Sequence, residues 1–294
     1  MMPPRTRAPE PRFRRVVVAF DGAADEDVAA VEAAAAFAAR LRADLLGLFI
    51  EDVDLARLAE HPGLTTICAR SAGAPRLGAE HLKTALKAQL ARTRRAMERA
   101  AERQRVRASF EVRRGRLIAE ILSTAAPADL VIIGWRGGPA TSVMAPGTSA
   151  TAVLAALSEA SVRFVLVPRT AIRPGGPVLV AYDGSAAARD GLSAAVEMGG
   201  AEAGVEVVLL ARRLDEVEAR RREAAQVLAE AGVGHGTFIQ LRDDGGGGRA
   251  CGGDLLRIAQ TRRAVLMVVP AGLLDAAAAK QVIERAPCSL LLVR

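Results

Sequence analysis

The residues of this 294-residue chain with the strongest chemical signature are Gly134-Trp135-Arg136-Gly137, which nine residues separate from Gly147-Thr148-Ser149. They follow the apolar run Asp129 to Ile133 and precede a stretch of helical composition, Ala150 to Ser158. A glycine-bearing loop that leaves a buried parallel strand and opens a helix suits an anion. Backbone N–H groups are unpaired at a helix start and the helix dipole favours negative charge there. Glycine lets the backbone approach oxygen atoms closely, and the hydroxyls of Thr148 and Ser149 add donors. Trp135 either covers a bound ligand or packs on the loop, packing being the preferred reading, and Arg136 either pairs with an anion or points to solvent.

Other chemistries find little support. His61, His81 and His235 are scattered with no carboxylate or cysteine at ligand spacing, so no protein metal site is implied. Neither a G-x-S-x-G elbow nor a G-x4-G-K-[ST] loop occurs. Asp25, Glu26 and Asp27 read as acidic residues favouring a helix start. Cys68, Cys251 and Cys288 are isolated and odd in number, which fits small buried hydrophobes in a reducing compartment, hence the cytoplasm.

The elements that must position the glycine loop occur twice. Val16 to Gly22 reads VVVAFDG and Val178 to Gly184 reads VLVAYDG. Each is a β-branched run ending in an Asp-Gly turn, followed by an Ala-rich helical stretch (Glu26 to Leu41, Ala186 to Met198) and a second apolar strand (Leu45 to Ile50, Val205 to Ala211). In the first half the polar stretch Ala79 to Arg103 predicts a helix. Strand Val106 to Val112, helix Leu117 to Ala125 and strands Asp129 to Ile133 and Phe164 to Val167 follow. Their counterparts are Gly236 to Leu241, Asp254 to Ala259, Val265 to Val269 and Leu290 to Val293.

Strands alternating with helices predict an α/β fold built as two tandem five-stranded, mostly parallel sheets flanked by helices. The expected organisation is a basic tail over 1–15, a first domain over 16–169, a Pro- and Gly-rich linker over 170–177 and a second domain over 178–294.

The spacing Gly-x2-Gly-x9-Gly-Thr, the Asp-Gly ending the first strand, the strand end Leu48-Phe49-Ile50-Glu51-Asp52 and Gly115-x2-Ile118 together resemble the universal stress protein family, over nearly the whole chain as two copies. That resemblance implies an adenine nucleotide hydrolase-like fold and ATP, with Mg²⁺, in the first half. It places Asp21 at the ribose, Ala19 and Phe20 in the same crevice and the main chain of Ile50 at adenine. The triphosphate would lie along Gly134, Arg136, Gly137, Gly147, Thr148 and Ser149. Ser149 departs from the valine that members often carry. The resemblance also implies that Phe164 to Val167 pairs with Leu290 to Val293, making an intramolecular pseudo-dimer that could dimerise further.

The second copy lacks that loop. Its fourth strand ends Val268-Val269-Pro270-Ala271-Gly272, and eighteen residue steps separate Pro270 from Cys288 against twenty-eight between Gly134 and Val162. It is expected not to hold a triphosphate. No catalytic constellation accompanies the first loop, so the expected role is nucleotide-responsive stress regulation with, at most, slow hydrolysis. A scaffold that binds protein partners without nucleotide is the alternative.

Composition narrows the class. With 51% hydrophobic and 25% charged residues the chain is globular rather than disordered. No apolar run approaches the roughly 18 residues that span a bilayer. Arg5, Arg7, Arg12, Arg14 and Arg15 against Glu10 place +4 of the formal +7 in the tail. The nearly balanced body and 3% aromatic content speak against a nucleic-acid partner, although Arg92 to Arg107 forms an Arg-rich stretch that reads as a solvated helix face.

Overall fold

The structure is a computed structural model that describes residues 12–20, 27–53, 79–133, 153, 154, 157, 162–169, 176–199, 204–234, 236–242 and 248–294. Among the described residues there are ten strands: β1 (Arg15–Phe20), β2 (Asp44–Asp52), β3 (Ala108–Gly115), β4 (Asp129–Ile133), β5 (Phe164–Val167), β6 (Val178–Tyr182), β7 (Val205–Ala211), β8 (Thr237–Arg242), β9 (Leu266–Pro270) and β10 (Ser289–Val293). Among the described residues the helices are α1 (Asp27–Leu41), α2 (Ala79–Gln104), α3 (Leu117–Thr124), α4 (Ala186–Gly199), α5 (Leu214–Glu230), α6 (Gly248–Thr261) and α7 (Ala276–Arg285).

The two five-stranded sheets implied by the repeat are one sheet of ten strands, ordered β3-β2-β1-β4-β5-β10-β9-β6-β7-β8. All pairings are parallel except β5 with β10, which run antiparallel with Phe164 opposite Val293 and Val167 opposite Leu290. The seam between the halves is therefore a pair of fully buried strands, apolar except for Ser289, rather than an open edge.

Strand residues alternate between two cores. On one face Val16, Val18, Phe20, Leu45 and Phe49 pack with the buried residues of α1, α2, α4 and α5. On the other, Val17, Ala19, Leu46, Leu48 and Ile50 pack with those of α3, α6 and α7 and with Val153 and Leu157. Both cores contain residues of each half. A parallel sheet covered on both faces explains why its strands read as continuous apolar runs. Gly47 lets α2 sit close: a Cβ there would lie 2.3 Å from Met97 Sδ.

The basic tail expected over 1–15 ends earlier than that. Phe13 is buried edge-to-face on Phe164, centroids 4.9 Å apart. Arg12 pairs with Asp190 at 2.8 Å and Glu197 at 3.3 Å, and Arg163 also reaches Asp190, so the seam carries ion pairs as well as apolar contact. Arg15 begins β1 and grips the buried Asp129 at 2.6 Å while its Nη2 donates to the Thr124 carbonyl at 2.9 Å. Burial of Phe13 draws these arginines into the fold, an effect that counting charge alone does not register.

α5 and α7 have no counterpart in the sequence expectations. α5 is rich in alternating charge and buries only Val217, Ala224 and Leu228, so its apolar stripe is thin. α7 is ten residues long and starts from an Asp275 cap.

Candidate functional site

In the first half β1 lies between β2 and β4, with Ala19 beside Leu48 on one side and Ile133 on the other. The chain passes from β1 outward to β2 and β3 and then returns to the opposite side of β1. This reversal opens a crevice at the carboxyl ends of β1 and β4, where open parallel sheets bind ligands. Register with β1 is described up to Phe20 opposite Phe49, while register with β3 continues to Asp52 opposite Gly115. Ile50 thus lies one residue past the last described pair with β1.

Of the site residues expected from sequence, Ala19, Phe20 and Ile50 are described and come together at these strand ends. Ala19 and Ile50 belong to the core shared with α3, whereas the Phe20 ring packs into the opposite core with α1. Phe20 can therefore meet a ligand in that crevice through its main chain, not its ring. Asp21, Gly134, Arg136, Gly137, Gly147, Thr148 and Ser149 lie outside the described residues. Gly115 closes tightly on α3: a Cβ there would lie 2.3 Å from the Glu120 Oε1.

The second half repeats the reversal, with β6 between β7 and β9, but its crevice is furnished differently. After Pro270 a single 3₁₀ turn, Ala271–Leu273, leads to Asp275, whose carboxylate accepts from the Ala278 N–H at 2.7 Å and caps α7. A carboxylate already occupies the helix start that would attract a phosphate. Asp183 is likewise engaged locally, accepting from the Ser185 N–H at 3.0 Å, while Ser185 Oγ caps α4 by accepting from Ala188 N–H at 3.1 Å. Gly184 between them has φ +81°, which a side chain would strain.

Two further polar clusters adjoin the second half and carry no motif in the sequence. The Tyr182 hydroxyl is buried beside the Arg189–Glu223 ion pair, without a well-formed hydrogen bond among the described residues. Burial, aided by the Glu223 carboxylate, pushes its phenol up to about 12. At the seam, burial lowers Arg169 to about 10 and pushes the neighbouring Cys288 thiol up to about 11, the guanidinium partly opposing the latter. The Arg169 N–H donates to Ser289 Oγ at 3.2 Å. Glu223 is remote in sequence from Tyr182 and Arg189, and Cys288 from Arg169, so only folding completes each cluster. Among the described residues no cluster of His, Cys, Asp and Glu has metal-ligand geometry, and no helix is long and apolar enough to cross a membrane.

No known family model and no curated protein sequence matches the chain. Solved structures do. A universal stress protein from Archaeoglobus fulgidus DSM 4304 aligns over 97% of this chain and 99% of its own, with TM-score 0.66 and 14% identity. A functionally unknown protein from Pseudomonas aeruginosa PAO1 aligns over 96% and 92%, with TM-score 0.56 and 20% identity. A third structure, provisionally named a universal stress protein, from Pseudomonas aeruginosa UCBPP-PA14, aligns over 96% and 93%, with TM-score 0.53 and 19% identity. The fold is that of the universal stress proteins at tandem size. The second structure spans nearly the same length, so the double-length architecture recurs in a protein whose function is itself unknown.

Proposed function

We propose that the chain is a tandem universal stress protein whose first half binds ATP, with Mg²⁺, at the carboxyl ends of β1, β2 and β4. In this reading it acts as a nucleotide-responsive regulator. The observation that carries the reading is the position of β1 between β2 and β4, which opens the crevice immediately before the Gly-x2-Gly-x9-Gly-Thr segment. The small Ala19 stands between Leu48 and Ile133 in register, and the main chain at Ile50 would offer polar groups to a purine. Asp21 would hold the ribose. Gly134, Arg136, Gly137, Gly147, Thr148 and Ser149 would meet the phosphates, whose charge the Mg²⁺ ion would offset. The second half, with Asp275 at its helix start and no glycine pair, does not bind a triphosphate. Bound nucleotide would order the 134–147 loop and alter a surface that partner proteins meet, with hydrolysis slow at most.

Ligand that binds only the folded state stabilises it by about 2.7 kcal/mol at a hundredfold excess over Kd. Millimolar MgATP should therefore raise the melting temperature of the full chain by several degrees. Gly137→Val and Gly147→Val, each compared with its own nucleotide-free melt, should abolish the rise. A parent protein whose melt ignores MgATP defeats the reading. It would then favour the scaffold alternative, to which the continuous ten-stranded sheet lends support.

A further inference from the structure

We propose that the edge of the sheet formed by α2 and β3 is a binding surface for the phosphate backbone of duplex nucleic acid. This surface is separate from the nucleotide crevice, since β2 intervenes between β3 and β1.

The near-balance of charge over the whole body hides a concentration of positive charge in one segment. From the first residue of α2 to the last of β3, residues 79–115 hold eleven Lys and Arg against four Glu. That excess of +7 equals the formal charge of the whole chain and leaves the remainder of the body, after Arg15, at −4. The second half supplies an internal control. Residues 214–242 form the equivalent helix and edge strand, α5 and β8, and hold four Arg against five Asp and Glu. The architecture matches to the level of a cation stacked on an aromatic ring: Arg94 lies 5.1 Å over Phe110, and Arg221 lies 5.4 Å over Phe238. A high arginine content alone would load both edges. Only the first is basic.

The charges face outward. Arg92, Arg95, Arg99 and Arg103 recur at three- and four-residue steps on α2 and all are exposed, while Thr93, Met97 and Ala100 of the same helix are buried. This stripe is roughly 16 Å long at the usual helical rise. Arg105 and Arg107, in the connection from α2 to β3, and Arg113 and Arg114, near the end of β3, are also exposed. Glu32 and Glu111 take up Arg103 and Arg113. Arg99, Arg105, Arg107 and Arg114 have no carboxylate partner among the described residues. Guanidinium groups suit phosphate oxygens geometrically.

The occupant follows from what the surface lacks. Phe110 is half-buried beneath Arg94, so no ring stands clear to stack an unpaired base, and recognition would be of backbone rather than bases. The apolar face of α2 is spent against β2, leaving none to enter a bilayer. A rigid row of cations without an apolar wedge fits the regular phosphates of a duplex.

The experiment titrates the full chain against a fluorescein-labelled, random-sequence 24-base-pair DNA between 50 and 200 mM KCl. Binding that weakens with a log–log slope of roughly −4 to −6, as for five or six neutralised phosphates, is the expected result. Combined Arg95→Glu, Arg99→Glu and Arg107→Glu should lower affinity at least about tenfold while leaving the apo melting temperature and the MgATP shift as in the parent. Arg221→Glu with Arg222→Glu on α5, and Arg5→Ala with Arg7→Ala in the tail, should leave affinity unchanged. The proposal is overturned if the parent does not bind the duplex at 50 mM KCl, or if the tail variant accounts for the loss. It is equally overturned if the α2–β3 variant binds as the parent does, or if vesicles containing 30% phosphatidylserine are bound through these arginines while the duplex is not. The melting shift is read separately, so failure of the nucleotide reading leaves this result interpretable.

Discussion

Cys288 illustrates how a residue with no visible partner in the sequence acquires properties from its surroundings. Its thiol is buried at the start of β10 and raised from 9.0 to about 11 by that burial, with Arg169 opposing. Between these values an unfolded chain gives up the thiol proton while the folded one keeps it. The folded state is therefore progressively disfavoured as pH rises from about 9 to about 11, and the contribution is fully present below about 9. Urea midpoints at pH 8, 9, 10 and 11 should fall less steeply for Cys288→Ala than for the parent. Parallel curves would show that the thiol does not titrate with folding. In the candidate site the family resemblance implied Ala19, Phe20 and Ile50 alike, whereas the opposite orientation of the Phe20 ring depends on the pleat and on what covers each face. The Asp275 cap shows the same limit from the other side. An aspartate in a short apolar connection acquires its role only when α7 begins three residues after a 3₁₀ turn.

At the scale of elements, apolar runs located the buried strands almost to the residue because they are covered on both faces, whereas the exposed edge strand β3 begins two residues and ends three residues later than the expected Val106 to Val112. Asp129–Ile133, Phe164–Val167 and Val205–Ala211 have the expected bounds. α5 escaped because its charges outnumber its buried positions, and α7 because it is only ten residues long and half of its buried face is alanine. A feature repeated across helix ends was also hidden. Arg42, Arg105 and Arg263 have φ of 52°, 55° and 53°, and Gly232 has 79°. In each case the next residue's N–H reaches back to a carbonyl of the helix: Ala43 to Ala38, Val106 to Ala101, Val233 to Leu228 and Ala264 to Ala259. These are left-handed terminations that normally use glycine, and α5 does use it. Arginine in that conformation is strained, so Arg42→Gly and Arg263→Gly should each stabilise the protein by about 0.5–1 kcal/mol, read as an increased urea midpoint. A decrease would mean that the arginine side chain contributes more at these ends than its backbone costs.

For the whole molecule, the antiparallel pairing of β5 with β10 turns a sequence repeat into one structure. Both cores run across the seam, Phe13 packs on Phe164, and Arg12 and Arg163 reach Asp190 in the other half. Halves coupled through so much buried apolar surface should unfold together. Calorimetry of the full chain should give one transition whose calorimetric and van't Hoff enthalpies agree, and Leu291→Asp, placing a charge within the seam, should lower it by several degrees or split it. Two transitions in the parent would show that the seam does not couple the halves. The amino-acid order alone determined the α/β class, the duplication and the single surviving glycine loop, because each is written in local apolar patterning and spacing. Tertiary structure decided that the two sheets fuse and that Phe13 and its flanking arginines belong to the fold. It also placed the basic segment 79–115, already visible as a cluster along the chain, on one outer edge of the sheet with its arginines exposed, because strand order and burial are not written in local sequence.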